Sequence, residues 1–133
     1  MSILIEELKH EHSDILATLN EVKKLGILSK EGQTKLLAAK AVLLEHLQNE
    51  DDRLYPILKA NAEQNKALEN TLDLFAMDMK NVSNIVKKFF KKFSIGVVYD
   101  EIQKDFELLF SALVERIKNE EDLLYDELER LQQ

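Results

Sequence analysis

Apolar residues along the chain recur at alternating steps of three and four, the spacing of one buried face on an α-helix. The first stripe is Ile5, Leu8, His12, Ile15, Leu19 and Val22. It stops at Leu25-Gly26, with Ser29 placed to cap the next segment. The second runs Leu36, Ala39, Leu43, His46, Glu50, Leu54 and Ile57; Pro56 removes a backbone donor near its end and should loosen the last turn. Polar Asn61-Ala-Glu-Gln-Asn65 serves as the connection. The third stripe is Leu68, Leu72, Phe75, Met79, Val82, Val86, Phe89 and Phe93, broken by Ser94-Ile-Gly96. The fourth is Ile102, Phe106, Leu109, Leu113, Arg116, Glu120, Leu124, Glu127 and Leu131. Four long amphipathic segments with short connections predict an all-α fold, an antiparallel up-down-up-down four-helix bundle. At 1.5 Å per residue each segment would span roughly 35 to 50 Å.

Composition supports that reading and narrows the chemistry. The 133 residues are 45% hydrophobic and 32% charged, the length of one domain covering 1–133. Three Gly and one Pro are too few for the frequent turns of a β-rich chain. The absence of Cys excludes disulfides, Cys-ligated zinc, iron–sulfur clusters and thiol nucleophiles. The formal charge of −7 makes nucleic acid a poor partner, since phosphate contacts need clustered Lys and Arg. No apolar run approaches the roughly 20 residues of a transmembrane helix. The opening Met1-Ser-Ile-Leu-Ile-Glu-Glu7 meets two acids too early for a signal peptide, so a cytoplasmic location is expected.

Five polar residues interrupt the apolar stripes: His12, His46, Glu50, Arg116 and Glu120. His46 and Glu50 are four apart, hence one turn above the other on one face, and Arg116 and Glu120 repeat the arrangement. Two inward carboxylates need a cation, because an unpaired buried charge costs several kcal/mol. An internal repeat relates the two pairs. A shift of 70 residues aligns Leu43-Leu-Glu-His-Leu-Gln-Asn-Glu-Asp-Asp-Arg-Leu-Tyr55 with Leu113-Val-Glu-Arg-Ile-Lys-Asn-Glu-Glu-Asp-Leu-Leu-Tyr125. It also aligns His12-Ser-Asp-Ile-Leu16 with Val82-Ser-Asn-Ile-Val86. A duplicated helix pair follows. His12 corresponds to Val82, His46 to Arg116 and Glu50 to Glu120.

Glu11-His12 followed by Ile15, then His46-Leu-Gln-Asn-Glu50 running into Leu54-Tyr55-Pro56, resembles the hemerythrin-like HHE cation-binding family. Asn119-Glu-Glu-Asp-Leu-Leu-Tyr125 echoes that family's fourth-helix motif. The resemblance implies a four-helix bundle around a non-heme di-iron centre, with a His on helix one, His-x-x-x-Glu on helix two, a His on helix three and His-x-x-x-Glu on helix four. Carried over, it makes His12, His46, Glu50 and Glu120 metal ligands. Val82 and Arg116 stand where two histidines would be; neither binds a metal, the one apolar and the other always protonated.

Two readings stay open beside an intact two-metal site. In one, a single iron, zinc or manganese ion is held by two imidazoles and one or two carboxylates, with affinity falling as pH drops. Arg116 would then pin a glutamate beside the metal. In the other the site is metal-free and Arg116 replaces the ion, bridging Glu50 and Glu120 by bidentate bonds while Val82 extends the core. The first implies a protein handling iron or a small diatomic ligand, dioxygen or nitric oxide. The second implies an interaction or regulatory module. Neither is an enzyme: no phosphate loop or activated nucleophile is present, and a nearby arginine should lower both glutamate pKa values. His10, on a different face from His12, reads as an ordinary core or boundary histidine with a local hydrogen bond, and Tyr55 and Tyr125 either as end packing or as hydrogen-bond partners of the site. Val86-Lys-Lys-Phe-Phe-Lys-Lys-Phe93, followed by Ile95, Val97, Val98 and Tyr99, reads as an amphipathic helix end. Phe90 is its residue left over for a homodimer contact.

Overall fold

In a computed structural model, residues 3–95 and 99–131 are described. Helix α1 spans Ile3–Leu25 and α2 spans Lys30–Asn49; α2 continues through a π-helical turn, π1, at Glu50–Leu54 into α3 at Tyr55–Ala62. After a short turn, α4 runs Lys66–Ile95. The last segment is α5, Tyr99–Asn119, then π2, Glu120–Leu124, then α6, Tyr125–Leu131. These form four helical rods, and the ion pairs between neighbours fix their directions. Glu7 pairs with Arg53 and Glu21 with Lys35, so the first two rods run antiparallel. Asp78 pairs with Arg116 and Lys92 with Asp105, so the last two do as well.

The first connection is as tight as the sequence implies. Gly26 adopts φ +87°, the left-handed conformation that closes a helix, and its N–H returns to the Val22 carbonyl. Ser29 caps α2 by accepting from the Gly32 N–H at 2.9 Å. A Cβ on Gly32 would overlap the Gly26 carbonyl, so that position accepts only glycine. The second connection is shorter than expected. Asn61 and Ala62 remain helical, Ala62 is buried, and Asn65 caps α4 through the Leu68 N–H. The predicted break at Gly96 and the residues Val97 and Val98 lie outside the described residues.

The core divides in two. Ile15, Leu19, Leu36, Leu43, Val82, Val86, Phe89, Phe106 and Leu113 belong to one apolar cluster; Ile5, Leu8, Leu54, Leu58, Leu72, Phe75, Leu124 and Leu128 to the other. Each rod passes from one cluster to the other at the same level. It does so at His12 on the first, at His46 and Glu50 on the second, and at Arg116 and Glu120 on the fourth. On the third rod the change falls between Phe75 and Val82. The five buried polar side chains among the described residues are therefore a layer sandwiched between two oily blocks.

Two expectations about the stripes need correction, and one cause accounts for both. Beyond Glu50 the inward residue is Leu58 rather than Ile57, and beyond Glu120 it is Leu128 rather than Glu127. A π turn closes i to i+5 and inserts one extra residue, which rotates everything after it. Both turns begin at the inward glutamate, with Tyr55 N–H returning to Glu50 and Tyr125 N–H to Glu120. Pro56 fits the loosened turn, but Asp126 occupies the equivalent place after π2, so proline is not its cause. Phe90 is also corrected. It is 6% exposed, packed edge-on against Phe89 and covered by Lys40, and it offers no free face for a dimer.

Candidate metal centre

His12 from α1, His46 and Glu50 from the second rod and Glu120 from the fourth converge in the polar layer. One ligand-capable atom from each lies within 4.8 Å of all the others, and all four side chains are buried. His12 Nε2 and His46 Nε2 are 3.0 Å apart. Glu50 Oε1 is 3.0 Å from His46 Nε2, and Glu120 Oε1 is 3.4 Å from His12 Nε2.

The outer nitrogens explain what these atoms are. His12 Nδ1 lies 2.7 Å from Glu121 Oε2, and His46 Nδ1 lies 2.7 Å from Glu11 Oε1. Glu11 is itself held by Asn49 Nδ2 at 3.0 Å. A carboxylate accepts only, so each imidazole directs an Nδ1 proton outward and, in its neutral form, turns an Nε2 lone pair inward. Glu11 and Glu121 stand within the motifs that carry the family resemblance, but neither was assigned a role from the sequence. Both are partly exposed and sit beside the stripes, each adjacent to an inward residue.

The inner set is thus rich in acceptors and short of donors. Tyr125, stacked on the His12 ring, supplies one phenolic proton. That proton has two acceptors, His12 Nε2 at 3.1 Å and Glu50 Oε2 at 3.3 Å. Glu50 Oε1 is buried without any hydrogen-bond partner. Two lone-pair nitrogens and two carboxyl oxygens in this space fit a cation.

Arg116 does not bridge Glu50 and Glu120 as expected. Its Nη2 is 3.5 Å from Glu120 Oε2, and its firmer bonds lead away from the histidines. Nη1 donates at 3.1 Å to both the Phe75 carbonyl and Asp78 Oδ2, and Nη2 donates to the Tyr55 hydroxyl. The guanidinium also lies 4.9 Å over the Phe75 ring. Asp78, which the sequence did not mark, is half-exposed and draws the cation toward the third rod. Val82 is buried in the larger apolar cluster, as expected for a hydrophobe replacing a ligand.

The tyrosines obey the duplication. Tyr125 on the fourth rod reaches Glu50 on the second, and Tyr55 on the second reaches Glu120 on the fourth at 3.5 Å. Hydrogen bonding to the site, rather than end packing alone, is their role.

The electrostatics also depart from expectation. Burial raises the Glu50 pKa, against the lowering effects of hydrogen bonding and of Arg116. Burial raises Glu120 to about 8, with the neighbouring Glu50 adding to it. Desolvation therefore outweighs the guanidinium, reversing the predicted lowering. Burial and the glutamates push both tyrosine hydroxyls well above their ordinary range. For Arg116, burial acts to lower the pKa, but the charges of Glu120 and its neighbours outweigh it and the net shift is upward.

Residues 3–128 match the family model of the hemerythrin HHE cation binding domain. No curated protein and no solved structure matches the chain.

Proposed function

The chain belongs to the hemerythrin HHE cation-binding family, and we propose that it binds one metal ion, iron(II) by preference. The ion's ligands are His12, His46, Glu50 and Glu120. The observation carrying this reading is the acceptor-rich inner face of the site, where two Nε2 atoms meet a buried Glu50 oxygen that has no hydrogen-bond partner. Two imidazoles with carboxylates suit iron(II), and zinc or manganese can compete for them. Glu11 and Glu121 hold the rings in orientation and raise their basicity.

Arg116 and Val82 take the matching half of the duplicated site. The guanidinium supplies a fixed positive charge there, and Asp78 offsets it, which limits its repulsion of a metal on the other side of Glu120. The metal-bound and metal-replaced readings of the sequence thus each describe one half of the same layer.

Bound iron would offer redox chemistry and an open position to a small diatomic molecule such as dioxygen or nitric oxide. The chain's own residues keep the layer dry, fix the ligands, and place the Tyr125 proton beside them. We read this as binding or sensing rather than catalysis, because all four ligand side chains are buried between two apolar clusters. Titrating metal-free protein with iron(II) under anaerobic conditions against a competing chelator tests the reading. One saturable site, lost in His12→Ala, is expected; no uptake would refute it.

A further inference from the structure

We propose that the groove between α4 and the α5–π2 junction is a docking site for a basic amphipathic helix of a partner protein, which places an apolar side chain between Leu74 and Leu123. The groove is lined by Leu74, Phe75 and Asp78 from the third rod and by Asn119 and Leu123 from the fourth, around a space of about 250 Å³. Small-ligand pockets begin at about 300 Å³, so this space suits one anchoring side chain better than a whole small molecule.

Its walls are apolar and open to solvent. Leu74 is 69% exposed and Leu123 is 53% exposed, and Met77, one turn along from Leu74, is 68% exposed. An apolar anchor laid between the two leucines takes all three surfaces out of water. Buried Phe75 closes the base, with its ring under the Arg116 guanidinium.

The surroundings carry one sign of charge. Residues 69–79 hold three acidic residues and residues 119–129 hold six, and neither stretch contains a Lys or Arg. Part of that charge is spent inside the chain: Asp78 on Arg116, Glu121 on His12, Glu69 on Lys66 and Glu127 on Arg130. Asp73, Asp122 and Asp126 are exposed and form no ion pair among the described residues. Asp73 adjoins Leu74 one turn before Met77, while Asp122 and Asp126 stand one residue before and three after Leu123.

An apolar strip edged by unpaired carboxylates complements a helix that carries apolar anchors at i, i+3 and i+4 with Lys or Arg beside them. A second copy of this chain does not supply one. Its basic amphipathic run, residues 86–93, keeps both Phe89 and Phe90 buried. An anionic membrane surface is repelled by the same carboxylates that attract a basic helix.

The test is calorimetric titration and amide chemical-shift mapping of the whole protein with a Leu/Lys amphipathic peptide of about 14 residues, four helical turns. One saturable site is expected, with the shifts concentrated around Leu74, Met77 and Leu123. A peptide of the same composition with scrambled periodicity, and spermine, should each bind at least about tenfold more weakly. Leu74→Ser/Leu123→Ser should weaken the amphipathic peptide at least about tenfold. Asp73→Asn/Asp122→Asn should weaken it at least about threefold, as expected for exposed charge pairs. The matched controls Leu37→Ser/Leu108→Ser and Glu31→Gln/Glu107→Gln, on other faces, should leave affinity within about twofold. All these positions are exposed, so circular dichroism should report an unchanged fold. The proposal is overturned by absent saturation, by equal affinity for the scrambled peptide or spermine, by equal losses in the matched variants, or by shifts concentrated on another face.

Discussion

His12 Nε2 lies 3.0 Å from His46 Nε2, although 34 residues separate them in the chain, and each ring is tied by its opposite nitrogen to a different carboxylate. Two imidazoles so held cannot both turn away from each other. Glu11 on one side and Glu121 on the other keep the two Nε2 atoms facing, an arrangement suited to a shared cation.

Removing the outer carboxylates should therefore weaken the site without emptying the ligand set. Glu11→Gln and Glu121→Gln are each expected to lower metal affinity about 10- to 100-fold while leaving stoichiometry unchanged. Chelator competition measures this. Unaltered affinity in both variants would mean the rings are positioned by packing alone.

Arg116 should matter more for stability than for metal binding. Arg116→Ala leaves Glu120 and Asp78 without their cation and is expected to cost about 3 kcal/mol or more in urea unfolding. Arg116→Lys should recover only part of that, because an ammonium cannot reach the Phe75 carbonyl, Asp78 and Tyr55 together as the planar fork does. A change below about 1 kcal/mol in the alanine variant would contradict a structural role for the guanidinium.

The duplication predicts a gain of function. Val82→His with Arg116→His restores a ligand pair in the second half of the layer and should add metal capacity beyond that of the natural chain. An unchanged metal content in a folded double variant would show that the second half of the layer takes up no metal even with its histidines restored.

Glu120 gives the metal-free protein a pH signature. Its folded pKa, about 8, stands above the ordinary value of 4.5, so the folded state holds a proton that the unfolded chain releases. The resulting stabilisation is complete below about 4.5 and is lost as pH rises through about 8. The difference in unfolding midpoint between natural protein and Glu120→Gln, both stripped of metal, should favour the natural chain less as pH rises across that window. A difference that stays flat would show that burial does not hold the proton.

The helices and the inward polar residues were legible because a 3.6-residue period exposes any polar side chain in an apolar stripe. Duplication then linked Glu50 to Glu120. What periodicity could not supply was a change of period. The π turns at Glu50 and Glu120 shift the stripe by one residue, replacing Ile57 with Leu58 and Glu127 with Leu128, and they bring Tyr125 fully inside. Glu11, Glu121 and Asp78 were hidden for another reason: half-exposed acids look like any solvated face until a partner across the bundle is known. Phe90 was misjudged because two successive aromatics cannot both follow one stripe, yet the larger apolar cluster takes in the second, edge-on against Phe89.

Metal content per chain tests the central claim most directly. Protein purified from iron-supplemented cells, and the same protein with His46→Ala, should be compared by elemental analysis. The account predicts one metal ion per chain in the first and none in the second. An empty natural protein, or a metal retained after His46 is removed, would contradict it.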